Sequence, residues 1–172
     1  MQNQRGLSLI EVVAAVALLL VLLSVAVLRV SSLQQGSQLR AAAYRLAGDL
    51  RLAGQRATLE GVTWELLLDG PSGAASGYQV YFQAPNAAWT AYRFRGGSTA
   101  VRLPAGVVIS HIEPPGGAAS PPGTDGVQFL SANGAPPAST LFTLTAAATG
   151  LQVQVRVWAP TGFVEICDKI CA

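Results

Sequence analysis

The pattern of hydrophobic and polar positions divides the chain into three parts. The first is an apolar run over residues 7–28, in which Glu11 is the single charged residue. About 22 residues at a rise of about 1.5 Å reach roughly 33 Å, which is enough to cross the hydrocarbon core of a bilayer. The pattern therefore predicts a transmembrane helix over 7–28.

The second part keeps a helical period but confines its apolar positions to one stripe. The spacing of 4-3-4-3-4 places these residues on one face of a helix: Leu39, Ala43, Leu46, Leu50, Ala53 and Ala57. Arginines occupy the other faces, at Arg40, Arg45, Arg51 and Arg56. No proline interrupts 7–70. The sequence predicts that the helix continues as an amphipathic segment over 29–60.

The third part, 61–172, changes to a period of two. Short β-branched and aromatic runs alternate with turn signals: VTWELLL, YQVYFQ, AWTAYRFR, VVISHIE, GVQFL, TLFTLTA, LQVQVRVW and GFVEI. In LQVQVRVW, Leu151, Val153, Val155 and Val157 are expected to face a core. The pattern predicts an α+β fold, in which the long N-terminal helix packs on the antiparallel β-sheet of a globular head.

Composition and charge narrow the possible functions. The chain has 172 residues, 12% of them charged, and a formal charge of +2, which is too weak for binding nucleic acid through bulk charge. His111 is the one histidine and has no nucleophile or acid arranged beside it in the sequence. A distant His111 and two cysteines are too few ligands for zinc. We expect no catalytic site, no metal and no cofactor.

The apolar run could be a cleaved secretory signal or a plain signal anchor, and Glu11 must be explained by either interpretation. A cleaved secretory signal usually has a shorter apolar region and ends at small residues, whereas this run passes into Arg29 without such a site. A plain signal anchor, with Arg5 on the cytoplasmic side, fits the length but leaves Glu11 unexplained. A carboxylate in an apolar span is costly unless it is paired.

The segment RGLSLIEVVAAVALLL resembles the leader junction of type IV pilins and type II secretion pseudopilins. A short basic leader ends at Gly6, and an apolar helix follows with Glu11 at its fifth position. The resemblance implies that 1–6 is a leader peptide, that prepilin peptidase cleaves after Gly6, and that the new terminus at Leu7 is methylated. The family usually has Phe where this chain has Leu7.

The resemblance also gives Glu11 a role in subunit assembly. In a bundle of such helices, its carboxylate can pair with the cationic amino terminus of the preceding subunit, and pairing avoids the cost of an isolated buried charge. The alternative is an interfacial Glu11 that reaches the lipid headgroups. The implied partners are other major and minor pilins or pseudopilins, an inner-membrane assembly platform, and inner-membrane lipid.

The order of strands and Gly turns from GVQFL to GFVEI resembles the minor branch of this family, which contains H-type pseudopilins and FimT-like pilins. The implied function is a minor subunit at or near the tip of a pilus-like filament, which primes assembly for motility, adhesion or DNA uptake. The alternatives are a type II secretion pseudopilin of the H type and a DNA-binding competence pilin. The head would be periplasmic before assembly, on a single-pass inner-membrane anchor, and would lie in a pilus or pseudopilus afterwards.

The two cysteines, Cys167 and Cys171, lie close together at the end of the chain. A head outside the cytoplasm would be in an oxidising compartment, where a local disulfide between them is expected. Pilins often carry a disulfide near the carboxy terminus, although theirs generally encloses a longer loop. A pair of free thiols is the alternative.

A local basic patch is the one candidate for contact with DNA. Arg93 and Arg95 alternate with Tyr92 and Phe94, and Arg102 follows in the next strand. Three arginines on one face could contact phosphates while exposed aromatic rings stack on bases. The alternative is a solvated strand face over a core that contains both aromatic residues. The tail GFVEICDKICA lacks the basic motif by which FimT-like pilins bind DNA.

Overall fold

The computed structural model describes residues 9–71, 73–94, 97–113 and 126–167, and within these ranges it contains one α-helix and nine β-strands. They are α1 (Leu9–Glu60), β1 (Thr63–Leu68), β2 (Gly77–Gln83), β3 (Thr90–Ala91), β4 (Ala100–Arg102), β5 (Val107–Glu113), β6 (Gly126–Phe129), β7 (Thr140–Ala146), β8 (Gln152–Trp158) and β9 (Phe163–Cys167). The chain forms two compact units that divide after Gln35. We describe the helix up to Gln35 and the head from Gly36 separately. The predicted α+β fold with antiparallel sheets is confirmed.

Within the head, α1 buries the stripe that the sequence predicts. All six positions of the stripe are buried, together with Ala42 and Ala47, in the core that the helix shares with the sheets. The four arginines are exposed. The helix ends at Glu60, and Gly61 follows with a φ of 63°. A residue in the left-handed region directly after a helix is the usual helix stop, and glycine adopts it without strain.

The first sheet has the order β3-β2-β1-β6, and β4 also pairs with β2. Leu66 of β1 pairs with Val80 of β2 on one side and with Val127 of β6 on the other. These three residues, together with Trp64 and Tyr78, belong to the main core. The central strand β1 is buried along nearly its whole length, which explains its continuous apolar run LLL.

The second sheet has the order β5-β7-β8-β9. Val153, Val155 and Val157 are buried as predicted, but Leu151 is 49% exposed, so the prediction for this residue is wrong. Leu151 precedes the first residue of β8, and the alternation of a strand does not extend to it. An isolated backbone bridge pairs Ala75, which lies between β1 and β2, with Ile109 of β5 in the second sheet.

The strand predicted over AWTAYRFR is wrong in most of its length. Of its described residues, 88–94, only Thr90–Ala91 forms a strand, and the backbone leaves the sheet after Tyr92, whose N–H donates to Val80 O at 2.7 Å. Phe94 N–H then donates to Ser98 O at 2.9 Å, and the chain rejoins β2 as β4. Gly97 has a φ of 81° within this turn, a conformation that favours glycine.

Candidate assembly surfaces

The first candidate surface is the apolar part of α1 over residues 9–24. Its large aliphatic side chains are exposed on all sides of the helix, from 49% at Val12 to 85% at Leu9. A continuous apolar surface of this size marks a region that contacts lipid or other proteins. Within the part of the chain that the structure describes, no helix satisfies the length and hydropathy needed to cross a membrane.

Glu11 is exposed in the first turn of α1. Gly6 and Leu7, the predicted cleavage and methylation positions, lie outside the described residues. The processing of the leader and the assembly role of Glu11 stay predictions.

A polar contact between α1 and β2 lies beside the buried stripe of the head. The Tyr78 hydroxyl donates to Asp49 Oδ2 at 2.6 Å, and Tyr78 is fully buried while Asp49 is half-buried. Burial raises the pKa of the Asp49 carboxyl, an effect that the Tyr78 hydrogen bond and the Arg45 charge oppose. Burial and Asp49 together raise the pKa of Tyr78, which stays a neutral donor.

Three glycines bring α1 close to two turns of the head. A Cβ on Gly54 would lie 2.9 Å from Gly134 O, and a Cβ on Gly162 would lie 2.7 Å from the same oxygen. Gly134 and Gly162 have φ of 64° and 68°. Because side chains would collide at this spacing, the backbones approach only where these residues are glycine.

An open groove of about 460 Å³ lies beside this glycine contact. Its lining comes from α1, from the turn after β6, from the turn between β8 and β9 and from the start of β9: Arg51, Gly54, Gln55, Thr58, Asn133, Gly134, Thr161, Gly162, Phe163 and Val164. Arg51 Nη2 donates to Val164 O at 2.8 Å and links the helix to the edge strand β9. We call this feature the α1–β9 groove.

The outer face of the β8–β9 hairpin presents an ordered aromatic pair. Trp158 and Phe163 are cross-strand partners, and so are Arg156 and Glu165. Arg156 Cζ lies 4.8 Å from the centroid of the Trp158 ring, and Trp158 Nε1 donates to Glu165 Oε2 at 3.1 Å. We call the pair of Trp158 and Phe163 the aromatic ledge.

The residues proposed for DNA contact are only partly described. Arg93 and Arg102 are exposed, whereas Arg95 lies outside the described residues. Tyr92 and Phe94 pack against the core, with ring centroids 5.2 Å apart, and the Tyr92 ring also lies 5.2 Å from that of Trp64. The aromatic rings are therefore partly buried against the core, which supports the alternative of a solvated strand face. The arginine patch stays a prediction.

The remaining sequence candidates lie on the second sheet. Cys167 is the half-buried last residue of β9, and Cys171 lies outside the described residues, so the disulfide stays a prediction. His111 lies in β5, opposite Thr143 of β7. In the described ranges no three His, Cys, Asp or Glu side chains come together in a group that could hold a metal ion.

Sequence reasoning missed the Asp49–Tyr78 contact and the aromatic ledge. A signal for the first was present, because Asp49 is the single acidic residue among the arginines of 39–59. The ledge could have been derived from the hairpin around Pro-Thr-Gly, which sets Trp158 opposite Phe163.

Comparison with known families decides the class of this chain. The model of the prokaryotic N-terminal methylation motif matches residues 1–27, and that of the type II transport protein GspH matches residues 42–159. The chain belongs to the GspH family. Members of this family are structural pseudopilin subunits of secretion machinery and not enzymes. The sequence-based assignment to the minor, H-type branch of pilins and pseudopilins is confirmed.

Solved structures support the fold of this GspH-family chain. Two structures of the minor pseudopilin EpsH from the type II secretion system of Vibrio cholerae are similar to it, each at 14% sequence identity. The match to the first structure has a TM-score of 0.58 and covers 76% of this chain and 96% of the EpsH chain. The match to the second has a TM-score of 0.57 and covers 76% of this chain and 93% of the EpsH chain. No curated protein sequence matches significantly.

Proposed function

We propose that this chain is a minor pseudopilin of the H type that is assembled into the pilus-like filament of a type II secretion system. Prepilin peptidase removes residues 1–6, and Leu7 becomes the methylated amino terminus. Residues 7–28 anchor the precursor in the inner membrane with the head in the periplasm. Pseudopilins as a class assemble with other pseudopilins, and this chain joins such subunits through the assembly platform.

The observation that carries the proposal is the exposed apolar surface of residues 9–24, which has the charged Glu11 near its start. An anchor alone needs the apolar residues and no carboxylate. A helix that passes from lipid into a bundle of like helices needs the apolar residues and also the carboxylate, because the carboxylate can pair with the amino terminus of a neighbouring subunit.

A minor pilin of a type IV pilus is the second candidate, because the leader junction is common to both machines. The match to a type II transport family over 42–159 favours secretion. In a strain that lacks the gene, loss of secreted proteins from the medium with normal surface pili would support secretion. Loss of pili, adhesion or DNA uptake with normal secretion would support the pilus.

Processing provides the direct test of the proposal. A bulky side chain at Gly6 blocks the peptidase site, so Gly6→Val is expected to leave uncleaved precursor in the inner membrane and to abolish complementation of the deletion strain. Gly6→Ala is the matched control and is expected to retain partial cleavage. Intact-mass analysis of the purified protein measures both. A wild-type chain that keeps Met1, or that is cut after the apolar run, would refute the proposal.

A further inference from the structure

The aromatic ledge and the α1–β9 groove form one continuous surface on the head. Phe163 belongs to both, since it is the cross-strand partner of Trp158 and also lines the groove. It is 61% exposed, and Trp158 is 37% exposed. Large apolar side chains that are exposed next to a groove mark sites of interaction more often than scattered ones do.

The ledge is held in place before any partner binds. Arg156 lies over the face of the Trp158 ring, and Glu165 accepts a hydrogen bond from its Nε1. A side chain that is already ordered loses less conformational freedom on binding. Tryptophan and arginine are also the residue types most enriched among the side chains that dominate binding energy at protein interfaces.

The α1–β9 groove contains a positive charge, the guanidinium of Arg51, which favours a partner with an acidic group. Among the described residues that line it, Arg51 is the one charged side chain, and the other polar side chains are neutral, as at Gln55 and Asn133. One N–H group of Arg51 is used by Val164 O. A guanidinium has further donors, and a carboxylate is the acceptor that binds it most strongly.

We propose that the aromatic ledge and the α1–β9 groove dock the head of a different pilin-type subunit of the same filament. The partner places an apolar side chain over Phe163 and a carboxylate beside Arg51. This inference rests on the proposed function, because assembly with pseudopilins identifies the class of partner. The open side of the groove, bordered by exposed Phe163, suits a protein surface of this chemistry.

The test combines a charge substitution with cross-linking in cells that produce the complete filament. Phe163→Asp is expected to lower incorporation of the full chain into sheared filaments at least tenfold. Leu151→Asp is the matched control, since Leu151 is also an exposed apolar residue but lies at the opposite end of β8. It is expected to incorporate normally. Thermal unfolding of both purified variants checks that neither substitution disturbs the head.

A photoreactive residue at position 163 identifies the partner directly. The expected adduct contains peptides of another pilin-type subunit by mass spectrometry, while position 151 gives none of it. An adduct with a second copy of this chain, with a protein outside the pilin class, or with nothing would overturn the inference. So would normal incorporation of Phe163→Asp. If the wild-type chain itself is absent from filaments, the proposed function fails instead, so the two failures are distinguishable.

Discussion

Two stretches of the same helix, 9–24 and 39–57, are both rich in leucine and alanine but use these residues differently. In the first, apolar side chains cover the whole circumference and are exposed. In the second, they form one buried stripe, and arginines occupy the remaining faces. An apolar circumference requires apolar surroundings on every side, whereas a stripe requires one sheet. The period of the apolar positions therefore determines what each stretch contacts.

The largest effect that separates the two stretches is expected from Glu11. Glu11→Gln removes the negative charge at nearly the same size, so the pairing with a neighbouring amino terminus is lost while anchoring is kept. We expect normal expression, normal cleavage and normal unfolding of the head, with little or no incorporation into sheared filaments. Glu11→Asp keeps the charge and is expected to retain part of the incorporation.

An anchor without an assembly role behaves in the opposite way. If Glu11→Gln is incorporated and restores secretion as well as wild type does, pairing at this position is excluded. A subunit at the extreme tip has no subunit above it to pair with, so such a result would place the chain there or make Glu11 interfacial.

Shortening one leucine in each stretch tests the difference in burial. Leu50 is fully buried in the head, and Leu50→Ala is expected to lower the free energy of unfolding by about 2–5 kcal/mol, because it leaves a cavity. Leu19→Ala removes the same atoms from an exposed position and is expected to leave the stability of the head unchanged. Urea unfolding of the full chain in detergent, followed by tryptophan fluorescence, measures this difference, since all three tryptophans lie in the head. Equal losses in both variants would contradict the comparison.

The sequence predicted the parts of the fold in which a repeating pattern coincides with one-sided burial. The stripe from Leu39 to Ala57 and the alternation in β8 are such parts, because each period specifies one buried face. The end of the alternation at Leu151 and the break after Tyr92 depend on the neighbouring strands. Leu151 O accepts a hydrogen bond from Ala146 N–H at the end of β7, and β2 pairs with β4 from Gln79 back to Gly77. That information lies in β7 and β2, outside the local pattern.

The candidate surfaces were less predictable than the fold, because most of them combine residues that are far apart in the sequence. The motif around Gly6 and Glu11 is local, so the sequence alone could identify it. The Asp49–Tyr78 contact joins residues from α1 and β2 that only the packing of the helix on the sheet brings together. The α1–β9 groove likewise combines Arg51 with Phe163, which are far apart in the sequence.

The smallest effect concerns the polar contact that borders the buried stripe. Because burial raises the folded-state pKa of Asp49 above its ordinary value, the folded head binds the proton more tightly than the unfolded chain does. The resulting contribution to stability is fully present below the unfolded pKa of about 3.9 and is lost as the pH rises through the raised folded value.

Relative to Asp49→Asn, which has no carboxyl to titrate, the wild-type head is therefore expected to gain stability as the pH falls from neutral towards that range. Tyr78→Phe removes the hydrogen bond that lowers the pKa of Asp49, so the gain in this variant is expected to begin at a higher pH. Urea unfolding of the three proteins from pH 4 to pH 8 measures these differences, and buffers of equal ionic strength keep the screening of Arg45 constant. A difference between wild type and Asp49→Asn that stays constant over this range, or that grows as the pH rises, would show that the raised pKa of Asp49 is wrong.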